Sequence, residues 1–433
     1  MARVLFAGGT FITMDERRPV VEGYMSVADG RIEWIGPERP TGEFDEIVDG
    51  RGKWFLPGLV NTHSHAAMSL LRGYGDDMEL GEWLEKKMWP AEARFTGDDV
   101  YWGTLLAIVE MLKSGTTCFA DMYDQMDRVA EAVAESGIRA ALARGVIGLC
   151  PPEVQRAKLD DAVRFARQWN GAADGRITTM LAPHAPYTCP PEYIERIVEA
   201  AHELDLPVHI HLSETRREVE EHERKYGLRP VEHMARIGLF SRPCLAAHAV
   251  HLTDKEIEML AQYGVHVSHN PGSNLKLASG FARLVDLLRA GVTVGLGTDG
   301  AASNNNLDMF EEIRLAALIA KATTGDATAV GAFQALRLGT VDGARALWLD
   351  DVGKLAPGMK ADIIAVDAEQ PHFYPRSDVV SHLVYAASGA DVTDVWIDGQ
   401  AVVRGRMCVR LDEERIRAEA EARFARLTGA SKG

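Results

Sequence analysis

Short apolar runs alternate with amphipathic stretches between about Pro57 and Pro357, and this alternation is the clearest pattern along the chain. Apolar runs with few polar interruptions are typical of parallel strands that are covered on both faces. The eight runs are GLVNTHSH (58–65), TTCFAD (116–121), RAALARGVI (139–147), TTMLAP (178–183), LPVHIHL (206–212), CLAAHAV (244–250), VHVSHN (265–270) and VTVGLGTD (292–299). Eight strands that alternate with helices predict a (β/α)8 TIM-like barrel, with a doubly wound open sheet as the rival fold. We favour the barrel because polar residues end at least five of the runs, and a closed barrel brings such ends to one mouth.

The two ends of the chain have a different pattern, in which apolar and polar positions alternate over short segments. Asp-Gly pairs, such as Asp29-Gly30, stand where hairpin turns need a positive φ. Neither end has enough strands to bury a core alone, so we predict that both ends together form a small β-sandwich. The predicted organisation is a composite β-sandwich domain (1–57 and 358–410), a metal-dependent hydrolase barrel (58–357) and a C-terminal helix (411–433).

Composition narrows the classes of partner. The 433 residues include 63 Asp and Glu against 47 Lys and Arg, a net charge of −16, which disfavours binding to nucleic acid or to anionic membranes. The five cysteines include no C-x-x-C pair, and no apolar stretch is long enough for a signal peptide or a membrane span. We therefore expect a cytoplasmic protein without disulfide bonds or a thiolate metal site.

Histidines at strand ends carry the strongest chemical signal. His63 and His65 end the first barrel strand, and alternation along a strand sends both side chains to the same face. His209 and His211 repeat this spacing on the fifth strand, and Asp299 ends the eighth. Nitrogen and oxygen donors of this kind suit a zinc-like ion. We favour His211 over His209 as the third ligand because it lies nearer the carboxyl end of its strand.

Further titratable residues follow the same strand ends. Three histidines and one aspartate leave room for a water, whose pKa zinc lowers to about 7. Glu214, three residues after His211, is placed to protonate the group under attack, and Asp299 with His248 can take protons from the water. This arrangement predicts hydrolysis at an electrophilic carbon. His269 is interpreted as an orienting or purely structural histidine.

Several motifs match a known family. The segments PGLVNTHSHAAMSLLRG, HAPYTC, HIHLSET, LAAHAVHL, SHNPGSNLKL and GTDGAASNNN resemble the amidohydrolase superfamily and, more narrowly, its 5′-methylthioadenosine/S-adenosylhomocysteine deaminases. The resemblance implies one metal ion, because TTMLAPH (178–184) lacks the lysine that binuclear members carry on strand four. It implies proton transfer by Glu214 and His248, and metal ligation by His63, His65, His211 and Asp299.

The resemblance also implies a substrate of the adenosine type. C6 of the purine is attacked, Glu214 protonates N1, and Asp299 contacts the reacting group. Glu92 and His184 match the ribose-binding positions of the family. Arg144 and Arg156 match basic positions that would suit the amino-acid carboxylate of S-adenosylhomocysteine.

Other interpretations remain open at this point. The segment 76–90 is a candidate lid in which Trp83 and Trp89 cover the purine, although simple packing explains both tryptophans equally well. The same chemistry would serve a guanine or pterin deaminase or a triazine hydrolase, and a non-catalytic interaction protein is a third hypothesis. The resemblance further implies a homo-oligomer, a dimer or tetramer, with iron or manganese as alternatives to zinc.

Overall fold

The computed structural model describes residues 3–429. Residues 1–2 and 430–433, which belong to the predicted segments 1–57 and 411–433, lie outside the described residues. The strands are β1 (Val4–Ile12), β2 (Val20–Ala28), β3 (Arg31–Gly36), β4 (Glu46–Asp49), β5 (Lys53–Pro57), β6 (Leu59–Ser64), β7 (Thr116–Tyr123), β8 (Arg139–Val146), β9 (Ile177–Pro183), β10 (Val208–Leu212), β11 (Cys244–His248), β12 (His266–His269), β13 (Val294–Leu296), β14 (Ile363–Asp367), β15 (Val392–Ile397), β16 (Gln400–Arg404) and β17 (Met407–Cys408).

Helices connect the strands throughout the central region. The α-helical segments are Leu80–Trp83, Trp89–Glu92, Gly97–Lys113, Met126–Ser136, Pro152–Trp169, Ala172–Gly175, Pro191–Leu204, Arg216–Tyr226, Pro230–Arg236, Asp254–Gln262, Pro271–Lys276, Leu284–Arg289, Ala301–Asn304, Met309–Thr324, Ala332–Leu338, Val341–Ala346, Val379–Tyr385 and Glu413–Thr428. Within residues 3–429, no helix is both long enough and apolar enough to cross a bilayer.

The central strands form the predicted barrel. β6 to β13 pair in chain order, and every neighbouring pair is parallel. β13 returns to the side of β6, where the Thr298 amide donates to Asn61 Oδ1 at 3.0 Å and Asn61 Nδ2 donates to Thr298 Oγ1 at 2.7 Å. The prediction of eight strands in a TIM-like barrel is confirmed. The strands hold because their apolar side chains are buried on both faces.

The two chain ends come together in a separate unit, as predicted, and their strands are joined in one sheet. Hydrogen bonds join nine strands in the order β17-β16-β15-β14-β5-β1-β2-β3, with β4 paired to β1. Alternation divides the side chains of β5 between two cores: Phe55 packs with Phe6 and Trp396 inside the end sheet, whereas Trp54 and Leu56 join the core that surrounds the barrel. The hairpin turn at Asp29-Gly30 has the positive φ values, 50° and 76°, that the pair predicts.

A buried ion pair ties the end sheet to the barrel. Arg139 begins β8, and its guanidinium donates to both oxygens of Asp362 at 2.9 and 3.1 Å and to Asp398 Oδ1 at 2.7 Å. Arg139 and Asp362 are almost completely buried. The end sheet is therefore attached at the amino-terminal ends of the barrel strands, so that the carboxyl ends are left to form the site.

Candidate metal and active site

A cavity of about 540 Å³ opens at the carboxyl ends of the barrel strands. Segment 80–95, which overlaps the predicted lid (76–90), contributes leucine, tryptophan and phenylalanine side chains to its apolar wall. Trp83 is buried and Trp89 is partly exposed, and both line the cavity. The polar lining includes His65, His184, His211, Glu214, His248 and Asp299.

Three imidazoles and one carboxylate point their donor atoms at one place. Asp299 Oδ1 lies 3.4 Å from His63 Nε2 and 3.3 Å from His65 Nε2. His65 Nε2 in turn lies 3.3 Å from His211 Nε2. Within the described residues, His63 with His65 and Asp299, and His63 with His211 and His248, form groups whose ligand atoms all lie within 4.8 Å of one another.

Backbone carbonyls fix the orientation of two of these rings. His65 Nδ1 lies 2.6 Å from the carbonyl of Met122, and His211 Nδ1 lies 2.7 Å from the carbonyl of His184. A carbonyl only accepts, so each Nδ1 carries the hydrogen, and each Nε2 presents its lone pair to the centre. This is the tautomer that a metal ligand needs.

His63 and His209 share a contact behind the centre. His63 Nδ1 lies 3.0 Å from His209 Nε2, whereas the buried Nε2 of His63 has no hydrogen-bond partner among the described residues. An orphaned buried nitrogen that faces three other donor atoms fits a divalent cation. The structure thus brings His211, rather than His209, to the convergence point and places His209 against the far side of His63.

Asp299 is held by the loops around it. Its Oδ1 accepts from the Gly300 amide at 2.8 Å, and its Oδ2 accepts from the hydroxyls of Ser273 and Ser303 at 2.7 and 2.8 Å. Burial opposes ionisation, but the neighbouring imidazoles of His63 and His65 outweigh it and hold the pKa of Asp299 well below its usual range. This carboxylate is ionised at neutral pH.

Glu214 and His248 lie beside the centre and close to each other. Glu214 is buried; its Oε1 accepts from the Ser279 hydroxyl at 3.1 Å, and its Oε2 is 3.8 Å from His248 Nε2. Burial raises the pKa of Glu214. Burial lowers the pKa of His248, but the neighbouring carboxyls of Glu214 and Asp299 reverse the shift and raise it. Asn274 Oδ1 lies 2.9 Å from His248 Nδ1 and orients the ring.

The two residues matched to ribose-binding positions also line the cavity. Glu92 Oε1 accepts from the Tyr123 hydroxyl at 2.6 Å, and burial raises the pKa of Glu92. His184 Nδ1 lies 2.9 Å from Thr188 Oγ1, and burial lowers the pKa of His184 to about 3. Tyr123, a cavity residue that orients Glu92, was not predicted; as the last residue of β7, it could have been found from its position at a strand end.

The basic residues differ from the sequence prediction. Arg144 lines the cavity, but its guanidinium already pairs with Asp124 at 2.7 Å and Asp161 at 2.8 Å. Arg156 is exposed on the helix Pro152–Trp169 and is absent from the described cavity lining. The structure therefore does not bring Arg156 to the site. The charge of Arg144 is balanced by Asp124 and Asp161.

A lysine of the same helix, rather than Arg156, faces the cavity. Lys158 lines the cavity, its Nζ donates to the carbonyl of Ile147 at 3.0 Å, and no carboxylate of the described residues lies within 4 Å of it. Residues two apart on a helix point about 200° away from each other. Lys158 shares the inner face with the buried residues Gln155 and Ala162, so helical periodicity could have identified it.

Two further histidines near the strand ends, His269 and His251, lie outside the group of converging donor atoms. His269 Nδ1 is buried without a hydrogen-bond partner among the described residues, and burial lowers the pKa of His269 to about 4. His251 lies in the loop after β11, with its Nε2 2.6 Å from the carbonyl of Ser279. Neither residue belongs to the converging donor groups.

Comparisons with known proteins show what the whole chain is similar to. The sequence pattern of the amidohydrolase family matches residues 54–402. A 5-methylthioadenosine/S-adenosylhomocysteine deaminase from Pelotomaculum thermopropionicum is 51% identical over 431 residues, which are 99% of each chain. A zinc-bound adenosine deaminase structure from Xanthomonas campestris superimposes with a TM-score of 0.93 at 38% identity, covering 99% of each chain. A zinc-bound atrazine chlorohydrolase from Arthrobacter aurescens TC1 gives a TM-score of 0.90 at 25% identity, covering 97% of this chain and 100% of that one.

The ring orientations predict different metal contents for two histidine variants. We expect His211→Ala to lose most bound metal, because the Nε2 that faces the centre is removed. His209→Ala removes only the partner of His63 and should lower metal affinity by about 10- to 100-fold, as is usual for residues that orient a ligand. Titration of the metal-free variants with Zn²⁺ measures both affinities. Full metal content in His211→Ala together with loss in His209→Ala would assign the ligand role to His209.

Proposed function

Because the chain belongs to the amidohydrolase family, we propose that it is a metal-dependent aminohydrolase that deaminates 5′-modified adenosines. The substrates are 5′-methylthioadenosine and S-adenosylhomocysteine, with adenosine as a further candidate, and the products are the inosine derivative and ammonia. The observation that carries this proposal is the convergence of three imidazoles and one carboxylate beside a cavity that also contains Glu214 and Glu92. Full-length relatives that are named as 5-methylthioadenosine/S-adenosylhomocysteine deaminases support the choice of substrate.

The donor set fits one zinc ion per subunit. His63, His65 and His211 would supply nitrogen and Asp299 oxygen, a combination that zinc prefers. When bound, the ion supplies Lewis acidity, which makes water nucleophilic near neutral pH. The family is metal-dependent, and zinc in the neighbouring adenosine deaminase supports this ion over iron or manganese.

Glu214 is the proposed proton donor to N1 of the purine. Its raised pKa keeps the carboxyl protonated nearer to neutral pH than an exposed glutamate. A proton on N1 withdraws electrons from the ring and makes C6 more electrophilic. The Ser279 hydroxyl holds one carboxyl oxygen, so the other is left to face the substrate.

His248 and Asp299 are the proposed acceptors of protons from the attacking water. Asp299 is ionised because its pKa is lowered, and this state suits a base. His248 is oriented by Asn274 and has a raised pKa, so the ring can hold a proton between its removal from water and its delivery to the departing amine. In this proposal, Asp299 acts as a base toward the water, and His248 returns a proton to the departing amine.

The cavity walls suit a nucleoside. We propose that Glu92 and His184 bind the ribose hydroxyls, since both present polar atoms to the cavity and are oriented by hydrogen bonds from behind. The aromatic rings of Trp83 and Trp89 provide an apolar surface that would exclude water from the purine. Ribose contacts on one side and apolar contacts on the other favour a nucleoside over a free base.

Lys158 is the proposed partner for a negatively charged 5′ substituent. Arg144 is already paired with two aspartates, and Arg156 is outside the described cavity lining. Among the described residues, Lys158 lines the cavity and has no carboxylate partner, and its flexible stem can bring the ammonium to the carboxylate of S-adenosylhomocysteine. Arg144 would then position Asp124 in the wall rather than bind the substrate directly.

A guanine or pterin deaminase and a triazine hydrolase are the alternatives. The similarity to a solved triazine hydrolase favours them for reaction type, because hydrolysis at a ring carbon is common to all these activities. The substrates of these alternative enzymes have no ribose, so such enzymes do not need residues that bind ribose. Glu92 and His184 therefore favour the nucleoside.

An ammonia-release screen tests the substrate. We expect zinc-loaded protein to deaminate 5′-methylthioadenosine and S-adenosylhomocysteine with the highest kcat/KM, because ribose binding contributes to transition-state stabilisation. Adenosine, guanine, pterins and aminotriazines form the comparison set. A higher kcat/KM for guanine, a pterin or a triazine would replace the proposed substrate class.

Substitution of Glu214 tests its role as proton donor. Glu214→Gln has almost the same shape, so zinc content and thermal unfolding should stay near the wild-type values. We expect kcat to fall by about 10²- to 10⁴-fold, the usual contribution of general acid catalysis. Turnover and metal content are measured on the same preparation. Near-normal kcat would remove Glu214 from the chemical step.

Lys158→Gln tests recognition of the charged substituent. We expect kcat/KM for S-adenosylhomocysteine to fall by about 10-fold, as for loss of one charged hydrogen bond, with little change for uncharged 5′-methylthioadenosine. Arg156→Gln is the matched control from the same helix, and it should change neither substrate. An effect of Arg156→Gln that exceeds that of Lys158→Gln would restore the arginine as the binding residue.

A further inference from the structure

A second buried carboxylate, Glu218, lies behind the loop that carries Glu214. It belongs to the first turn of the helix Arg216–Tyr226 and is only 7% exposed. Its Oε1 accepts from the amide of Ser213 at 2.9 Å, and its Oε2 accepts from the amide of Glu214 at 2.8 Å. One carboxylate thus binds two consecutive backbone amides, one of which belongs to Glu214 itself.

This arrangement extends beyond ordinary helix capping. Thr215 is the N-cap residue, and its Oγ1 accepts from the amide of Glu218 at 3.1 Å. In a capping box, a glutamate at this position bonds back to the N-cap amide. Glu218 additionally binds the amides of the two residues before Thr215. The contact therefore holds the loop in front of the helix, in addition to any effect on the helix end.

The loop needs such an anchor because its backbone is strained. Ser213 has φ = 52°, in the left-handed region that serine seldom adopts. The carbonyl of Ser213 accepts from the amides of Val250 and His251 at 3.1 and 2.9 Å. Glu218 fixes the amide side of the same residue, so the chain around Ser213 is held from both sides.

The carboxyl of Glu214 depends on this backbone for its position. Ser279 holds one of its oxygens, and the other lies 3.8 Å from His248 Nε2. A rotation of the peptide between Ser213 and Glu214 would swing the side chain away from both contacts. The amide of Glu214 is the point at which Glu218 prevents that rotation.

Burial of the Glu218 carboxyl without a neighbouring cation is energetically unfavourable, which a purely structural role does not explain. No arginine or lysine of the described residues lies within 4 Å of its carboxyl, and burial together with the charge of Glu214 raises the pKa of Glu218 to about 7. A buried carboxyl without a cation destabilises a fold unless hydrogen bonds compensate it. Here the compensation comes mainly from the two amides that set the position of Glu214.

We propose that Glu218 is a positioning residue for the proton donor: it clamps the amides of Ser213 and Glu214, so that the carboxyl of Glu214 stays between Ser279 and His248. The inference rests on the proposed function for what Glu214 does to the substrate. The clamp itself rests on the hydrogen bonds alone.

A double-mutant cycle tests the coupling between the two glutamates. Glu218→Gln keeps one acceptor oxygen but turns an amino group toward the second amide. We expect kcat to fall by about 10- to 100-fold with KM, metal content and thermal unfolding little changed. In a Glu214→Gln background, the same substitution should cost less than about 2-fold, because the positioned proton donor is already absent. Glu221→Gln, an exposed residue of the same helix, is the matched control and should leave kcat unchanged in both backgrounds.

Hydrogen–deuterium exchange tests the clamp without substrate. In zinc-loaded protein, Glu218→Ala should accelerate exchange of the amides at residues 213–214 by at least about 10-fold relative to wild type and to Glu221→Ala. Unchanged exchange, unchanged kcat in Glu218→Gln, or equal losses of kcat in both backgrounds would each overturn the positioning role. Absence of turnover by the wild-type enzyme on every amine in the screen would instead overturn the proposed function, because the exchange result does not depend on it.

Discussion

The backbone hydrogen bond from the Asp299 amide to the carbonyl of His63, 3.0 Å long, joins the last barrel strand to the first and sets the two residues side by side. Without this junction, the strand that carries His63 and His65 and the loop that carries Asp299 would lie at opposite edges of an open sheet. The barrel must therefore close for the site to form, as well as for the fold to be complete. The same condition explains why residues 236 positions apart, His63 and Asp299, act on one small volume.

Once the strand ends have met, their surroundings give identical chemical groups different properties. Asp299 and Glu214 are both buried carboxyls, yet the neighbouring histidines lower the pKa of Asp299, whereas burial dominates for Glu214 and raises its pKa. A pair of carboxyls with pKa values shifted in opposite directions supplies a base and an acid at the same pH. Environment, rather than residue type, thus assigns the roles that the proposed reaction needs.

Periodicity in the sequence predicts most of this arrangement, and geometry decides the rest. The eight apolar runs locate the barrel strands to within a few residues, and the H-x-H spacing identifies the histidines that approach the centre. The choice between His209 and His211 depends on which ring turns Nε2 inward, and this depends on the carbonyl of His184, a contact between strands. The error at Arg156, by contrast, was avoidable, because the helical period of Pro152–Trp169 places Lys158 on the buried face with Gln155 and Ala162. Homo-oligomerisation, cytoplasmic location and the domain boundaries stay predictions.

The two ends of the barrel have different roles. The end sheet is attached at the amino-terminal ends of the strands, and the candidate site lies at the carboxyl ends. Arg139, at the start of β8, bonds Asp362 and Asp398 of the end sheet, and the Gly58 amide before β6 donates to the Asp362 carbonyl at 3.0 Å. These contacts hold the amino-terminal ends of the strands by burial and ion pairing, so the carboxyl ends do not have to contribute to that attachment. Polar and strained residues can then collect at the mouth, where His248, Ser213 and Asp299 all have positive φ. Strain of this kind persists only where the surrounding structure is over-determined, and the anchored barrel provides that support.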